Sequence, residues 1–118
     1  MNYEIKLNLK EFFSILDRAS LLTQAKDKNI IDMEISTDNL LIKAASSEIG
    51  KVEEKMDIIN ETKNSLKISF SAKYMLEALK NFENEEIYML LNGEISPIIL
   101  KEVDNNELIQ LILPMKTY

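Results

Sequence analysis

The chain has 118 residues, 46% of them hydrophobic and 29% charged, with 20 acidic and 14 basic side chains and a net charge of −6. That length suits one domain, residues 1–118, able to bury a core of its own, and no apolar stretch nears the roughly 20 residues that cross a bilayer. The chain has no cysteine, no histidine and only two glycines, Gly50 and Gly93, which excludes disulfides, thiolate chemistry, imidazole catalysis and a glycine-rich phosphate loop.

The first residues, "MNYEIKLNLK", carry no apolar signal core, so a cytoplasmic protein is expected. Ile5 and Leu7 alternate with polar neighbours, as in a half-buried strand. Asn8 follows, with Glu11 three residues on, the spacing of a capping box. Phe12, Ile15, Leu16 and Ala19 then recur at the spacing of one helix face. Three strand-like stretches come next: "IIDMEIS", "NLLIKAA" and "KVEEKMDII". They are separated by the turn-forming clusters "STDN" and "SSEIG".

From Ile68 the pattern starts again. Ile68 and Phe70 alternate, Ser71 can cap, and Met75, Ala78, Leu79 and Phe82 recur at helical spacing. Then come "EIYMLLN", "SPIILKEV" and "ELIQLILP", divided by "NGE" and "VDNNE". Connections this short favour antiparallel meanders. The reading is α+β: a duplicated β-α-β-β-β unit, with halves of about 1–60 and 61–118 meeting at "NETKNS". Two helices are expected to pack on one face of antiparallel sheet, with a wet outer side on strands such as "KVEEKMDII".

These residues resemble a known family. "ISFSAKYMLEAL", "IYMLLN" and the closing "LILPMKTY", with "RASLL" and "DNLLIKAASSE" in the first half, are similar to the C-terminal domain of the bacterial DNA polymerase III beta subunit, the sliding clamp. The resemblance implies the DNA-clamp fold and a non-enzymatic processivity factor without cofactor or metal. It implies that the chain corresponds to the last of three such domains. Two full-length chains would close as a homodimer around duplex DNA, non-specifically and with no membrane involved. It also implies partners, namely polymerase, clamp loader and repair proteins, that dock through short peptides.

Carried over by position, the peptide-binding wall would be Ser71, Tyr74, Ile95, Pro97, Leu111, Ile112, Pro114, Met115 and Lys116. Alternation alone leaves open whether Leu111 and Leu113 face the core or the surface. Met115, following the proline that ends the strand, is expected to be exposed. Leu21 and Leu22 would form the ring-closing joint. Adjacent residues on a helix point about 100° apart, so one of the two is expected to face solvent. Lys10, Arg18, Lys73 and Lys80 would face DNA, or form ordinary solvated helix sides. Glu48, Glu53, Glu54 and Asp57 lack metal-ligand spacing and read as a hydrated strand face. Two other classes remain: a small-ligand or carboxylate-based enzymatic α+β domain, which needs convergent carboxyls in a pocket, and an unrelated protein-interaction module.

Overall fold

Two helices start on two matched caps. Strand β1 (Tyr3–Asn8) runs into α1 (Leu9–Thr23), and the Asn8 Oδ1 accepts the Glu11 N–H at 2.8 Å. Strand β6 (Leu66–Ser71) runs into α2 (Ala72–Leu79), and the Ser71 hydroxyl accepts the Tyr74 N–H at 3.5 Å. Each cap satisfies one of the amides that a helix start leaves without a partner. The structure, a computed structural model, describes residues 3–23, 29–46, 48, 50–102 and 105–115, with the backbone alone for 105–108.

The remaining strands are β2 (Ile30–Ile35), β3 (Asn39–Ser46), β4 (Gly50–Asp57), β5 (Ile59–Asn60), β7 (Glu86–Leu91), β8 (Ile98–Glu102) and β9 (Asn105–Ile112). The β-α-β-β-β order therefore occurs twice. The strands form two antiparallel sheets rather than one continuous sheet. One has the order β4-β3-β2-β6, the other β5-β1-β7-β8-β9.

The halves exchange their leading strands. β1 of the first half pairs along β7, with Ile5 opposite Met89, while β6 of the second half pairs along β2, with Ile68 opposite Met33. Each sheet is thus incomplete without the other half. Two backbone bonds repeat the relation at the helix starts. The Leu9 N–H donates to the Glu85 carbonyl at 2.9 Å, and the Ala72 N–H donates to the Asn29 carbonyl at 2.8 Å. Asn29 sits at φ 50°, a left-handed conformation that asparagine tolerates better than most residues.

The expected single strand over "KVEEKMDII" breaks at Ile58. Its side chain is buried and its N–H donates to the Asp38 carbonyl at 3.0 Å. That contact hands the chain from one sheet to the other: β4 lies beside β3, and β5 lies beside β1. The turn that follows is organised by the buried side chain of Asn60. Its Nδ2 donates to the carbonyls of Ser36 (2.8 Å) and Asn64 (3.1 Å). Its Oδ1 accepts from the Thr62 hydroxyl (2.8 Å) and the Lys63 N–H (3.2 Å). Lys63 is thereby held at φ 58°.

The inner faces of both sheets and the apolar stripes of both helices form one core. Phe12 and Phe70 are among its largest fully buried side chains. Truncating either to alanine would cost about 3–5 kcal/mol. Helix α1 packs on β3 and β4 and beside α2, while α2 packs against β9 and β6.

Candidate docking surface at the C-terminal segment

The outer faces of the two sheets differ in chemistry. On the four-stranded sheet the register aligns Ser69, Asp32, Lys43 and Glu53 in one row, and Lys67, Glu34, Leu41 and Lys55 in the next. Opposite charges meet across strands: Lys43 Nζ lies 2.7 Å from Glu34 Oε2, and the Ser69 hydroxyl donates to Asp32. The Lys43 ammonium bonded to Glu34 draws that carboxyl below its usual range, and Glu34 raises Lys43 in return. This is a self-neutralised, wet surface.

On the five-stranded sheet the end formed by β8 and β9 is apolar. Ile99 pairs with Leu111, so both share the outer face, and Ile98 pairs with Ile112, so both point inward. Leu111 is 64% exposed and Leu113, one step further along the same face, 70%. Ile109 is exposed on that face too. Leu111 and Leu113 are therefore surface residues, and the core residue between them is Ile112.

The C-terminal segment then leaves one sheet for the other. Pro114 bridges Phe70 of β6, and the Met115 N–H donates to the Ser69 carbonyl at 2.8 Å. Gly93, at φ +99°, opens the β7–β8 turn that carries Ile95, 75% exposed. Only glycine adopts that angle without strain. Ile95 and Met115 line one end of a groove of about 440 Å³ over β2 and β6, whose other side chains are largely polar, among them Asp32, Glu34, Lys43, Lys67 and Ser69. Tyr74, 57% exposed, stands on α2 with the Lys73 ammonium 5.9 Å from its ring centre.

Of the wall residues named from the sequence, Tyr74, Ile95, Pro97 and Leu111 are exposed, and Pro114 and Met115 are half-buried. Ser71 and Ile112 are buried; Ser71 serves as the cap of α2 and Ile112 belongs to the core. They support the surface from below. Lys116 lies outside the described residues. The sequence left Leu113 open between core and surface and did not single out Ile109. Their phase relative to Pro114 was the only signal, and it required knowing which way Ile112 points.

The duplication supplies an internal control. Matched by position from their caps, Asn8 corresponds to Ser71 and Leu7 to Phe70. The β1–β5 register, Lys6 opposite Ile59 and Ile5 opposite Asn60, then places Ile58 on Pro114 and Ile59 on Met115. Counting back, Met56 falls on Ile112, Asp57 on Leu113 and Lys55 on Leu111; on the helices, Glu11 falls on Tyr74. Both inward positions are buried and apolar. The three outward positions are charged in the first copy and apolar in the second. The backbone does not require an apolar surface there, because the same geometry carries Lys55, Asp57 and Glu11 in water. Ile59 keeps the apolar character of Met115, as Leu41, paired with Lys55, keeps that of Ile99, paired with Leu111.

The other named residues are scattered. Leu21 is exposed at the end of α1, and Leu22 packs against the core. Lys10 and Lys73 are exposed on the helices, and Lys80 is exposed just past α2. Arg18 is exposed but engaged: its Nε and Nη2 donate to the two carboxylate oxygens of Glu54 at 2.9 and 2.7 Å. That forked bond holds the Glu54 carboxyl below its usual range and raises the guanidinium. The buried carboxylate of Glu102 is also engaged, accepting the N–H groups of Glu83 (3.4 Å) and Asn84 (3.1 Å). Among the described residues, no helix is long and apolar enough to cross a membrane.

Two copies of one unit, exchanging strands into two antiparallel sheets backed by paired helices, define a domain of the DNA-clamp class. The chain belongs to the family of the DNA polymerase III beta subunit, C-terminal domain, whose model matches residues 1–116. It is 42% identical over 119 aligned positions to a beta sliding clamp of Staphylococcus aureus, covering 99% of this chain and 32% of that protein. A sliding clamp structure from Bacillus subtilis is 38% identical with a TM-score of 0.89, covering 99% of this chain and 31% of that one. A DNA polymerase III beta subunit from Thermotoga maritima matches at a TM-score of 0.91 and 22% identity, over 98% of this chain and 31% of its own; it shares the fold. The chain spans about a third of the length of the curated relatives it matches.

Proposed function

We propose that this chain is the carboxy-terminal domain of a ring-forming sliding clamp, a processivity factor for a replicative DNA polymerase. Its own contribution is a docking surface around the C-terminal segment for short apolar peptides of polymerase, clamp-loader and repair proteins. One observation carries the reading: equivalent outward positions are Lys55, Asp57 and Glu11 in one copy, and Leu111, Leu113 and Tyr74 in the other. Exposing leucines gains nothing for an isolated fold, whereas covering them with a partner's apolar side chains is favourable.

The activity is tethering without chemistry. A ring that holds the polymerase on its template raises effective concentration by topology. Tight phosphate contacts would oppose sliding. With Arg18 bound by Glu54, the cations of the helix layer available to DNA among the described residues are Lys10, Lys73 and Lys80, offset by Glu11, Asp17 and Glu77. Phosphate contacts from such a face are weak, non-specific and salt-sensitive. Leu21, exposed at the end of α1, serves the joint between two subunits, with Leu22 beneath it.

The test is a titration with a peptide of the Gln-Leu-x-Leu-Phe kind, followed by amide NMR. Shifts are expected at Tyr74, Ile95, Leu111, Leu113 and Met115, with Glu11, Lys55 and Asp57 unmoved. No shift at millimolar peptide, or equal shifts in both copies, would overturn the reading.

A further inference from the structure

With no cysteine and no tryptophan in the chain, methionine is the side chain that two-electron oxidants reach most easily. Met33 and Met75 have no solvent exposure, Met89 has none, and Met56 has 3%. These four lie in the core, where an oxidant arrives only after the fold opens. Met115 is the exception among the described residues. It is half-buried at the surface, and with Ile95 it lines the groove beside β6. Its backbone is pinned to Ser69 and its position follows Pro114, so the side chain stays at that rim.

We propose that Met115 is a site of reversible oxidation by peroxides, and that its sulfoxide form withdraws the docking surface from partners. The reaction is an oxygen transfer. The thioether sulfur attacks one peroxide oxygen, the O–O bond breaks, and the sulfur gains the oxygen while losing two electrons. Hydrogen peroxide is reduced to water. A dithiol-dependent sulfoxide reductase reverses it: two electrons return to sulfur, the oxygen leaves as water, and the dithiol becomes a disulfide. The consequence for docking rests on the function proposed above. A thioether offers a partner's apolar side chain a pliable, polarizable contact, whereas the sulfoxide presents to that side chain a strong dipole that it cannot satisfy. The first copy has Ile59 at the matching position, which has no such chemistry.

The experiment treats the folded protein with hydrogen peroxide and maps oxidation by peptide mass spectrometry over time. The amino-terminal Met1 is mapped on its own peptide. Peptide affinity is then measured for the reduced protein, the oxidised protein, and Met115→Leu before and after peroxide. Met115 is expected to oxidise at least about tenfold faster than the four core methionines. Oxidation should weaken peptide binding about tenfold, with recovery after treatment by the reductase, and Met115→Leu should bind equally before and after peroxide. Oxidation of Met115 no faster than that of Met33 or Met75 overturns the modification site while leaving the docking surface standing. Unchanged affinity in a protein oxidised at Met115 overturns the switch. Failure of the reduced protein to bind overturns the docking reading itself, which the oxidation map does not depend on.

Discussion

Ile112 and Leu113 are adjacent and chemically alike, yet alanine at the two positions should have opposite consequences. Ile112 pairs with Ile98 on the inner face and is 5% exposed. Removing its side chain deletes core contacts and leaves a cavity, at a cost of about 2–5 kcal/mol. Leu113 is 70% exposed, so Leu113→Ala should change stability by no more than about 0.5 kcal/mol. Binding reverses the order. Fully burying a leucine is worth about 1.5–3 kcal/mol, and most of Leu113 is still available to a partner. Its loss should cost about 1–2 kcal/mol of docking, or roughly 5- to 30-fold in Kd. Urea unfolding gives the first quantity through the midpoint at unchanged slope. Fluorescence anisotropy of a labelled clamp-binding peptide gives the second. If Leu113→Ala proves more destabilising than Ile112→Ala, or peptide affinity ignores Leu113, then β9 faces the other way and the docking argument fails with it.

Three further outcomes are expected. Asn60→Ala removes four hydrogen bonds from a buried turn and should destabilise by about 2–4 kcal/mol, with Asn60→Asp intermediate, read by thermal melting. Ser71→Ala should cost about 1 kcal/mol through loss of the α2 cap and should leave the slope of urea unfolding unchanged. The Arg18 guanidinium holds the Glu54 carboxyl below its ordinary value of 4.5. The stability from that pair is therefore complete above pH 4.5 and is lost as pH falls through the lowered folded value. Glu54→Gln should flatten that part of the acid unfolding profile; an unaltered profile would show that the pair does not persist in solution.

Much of the local structure is legible in the sequence because it depends on neighbours. Asn8 with Glu11, and Ser71 before Met75, Ala78 and Leu79, announce helix starts through spacing alone. Alternation at Ile5 and Leu7, and again at Ile68 and Phe70, announces half-buried strands, and the repeat of both signals announces the duplication. The contacts that make the surface are long-range. Nothing near Lys55 or Asp57 indicates that the chain changes sheets at Ile58, because the partner that turns it is the Asp38 carbonyl. Nothing near Arg18 indicates Glu54, 36 residues on. In "LILPM" every residue is apolar, so no alternation records which face is buried. Pairing with β8 decides that phase, and with it whether a partner would meet Leu111 and Leu113 or Ile112. A hydrophobic pattern determines a face only where it contrasts with polar neighbours; where the contrast is absent, only the register with the adjacent strand can choose.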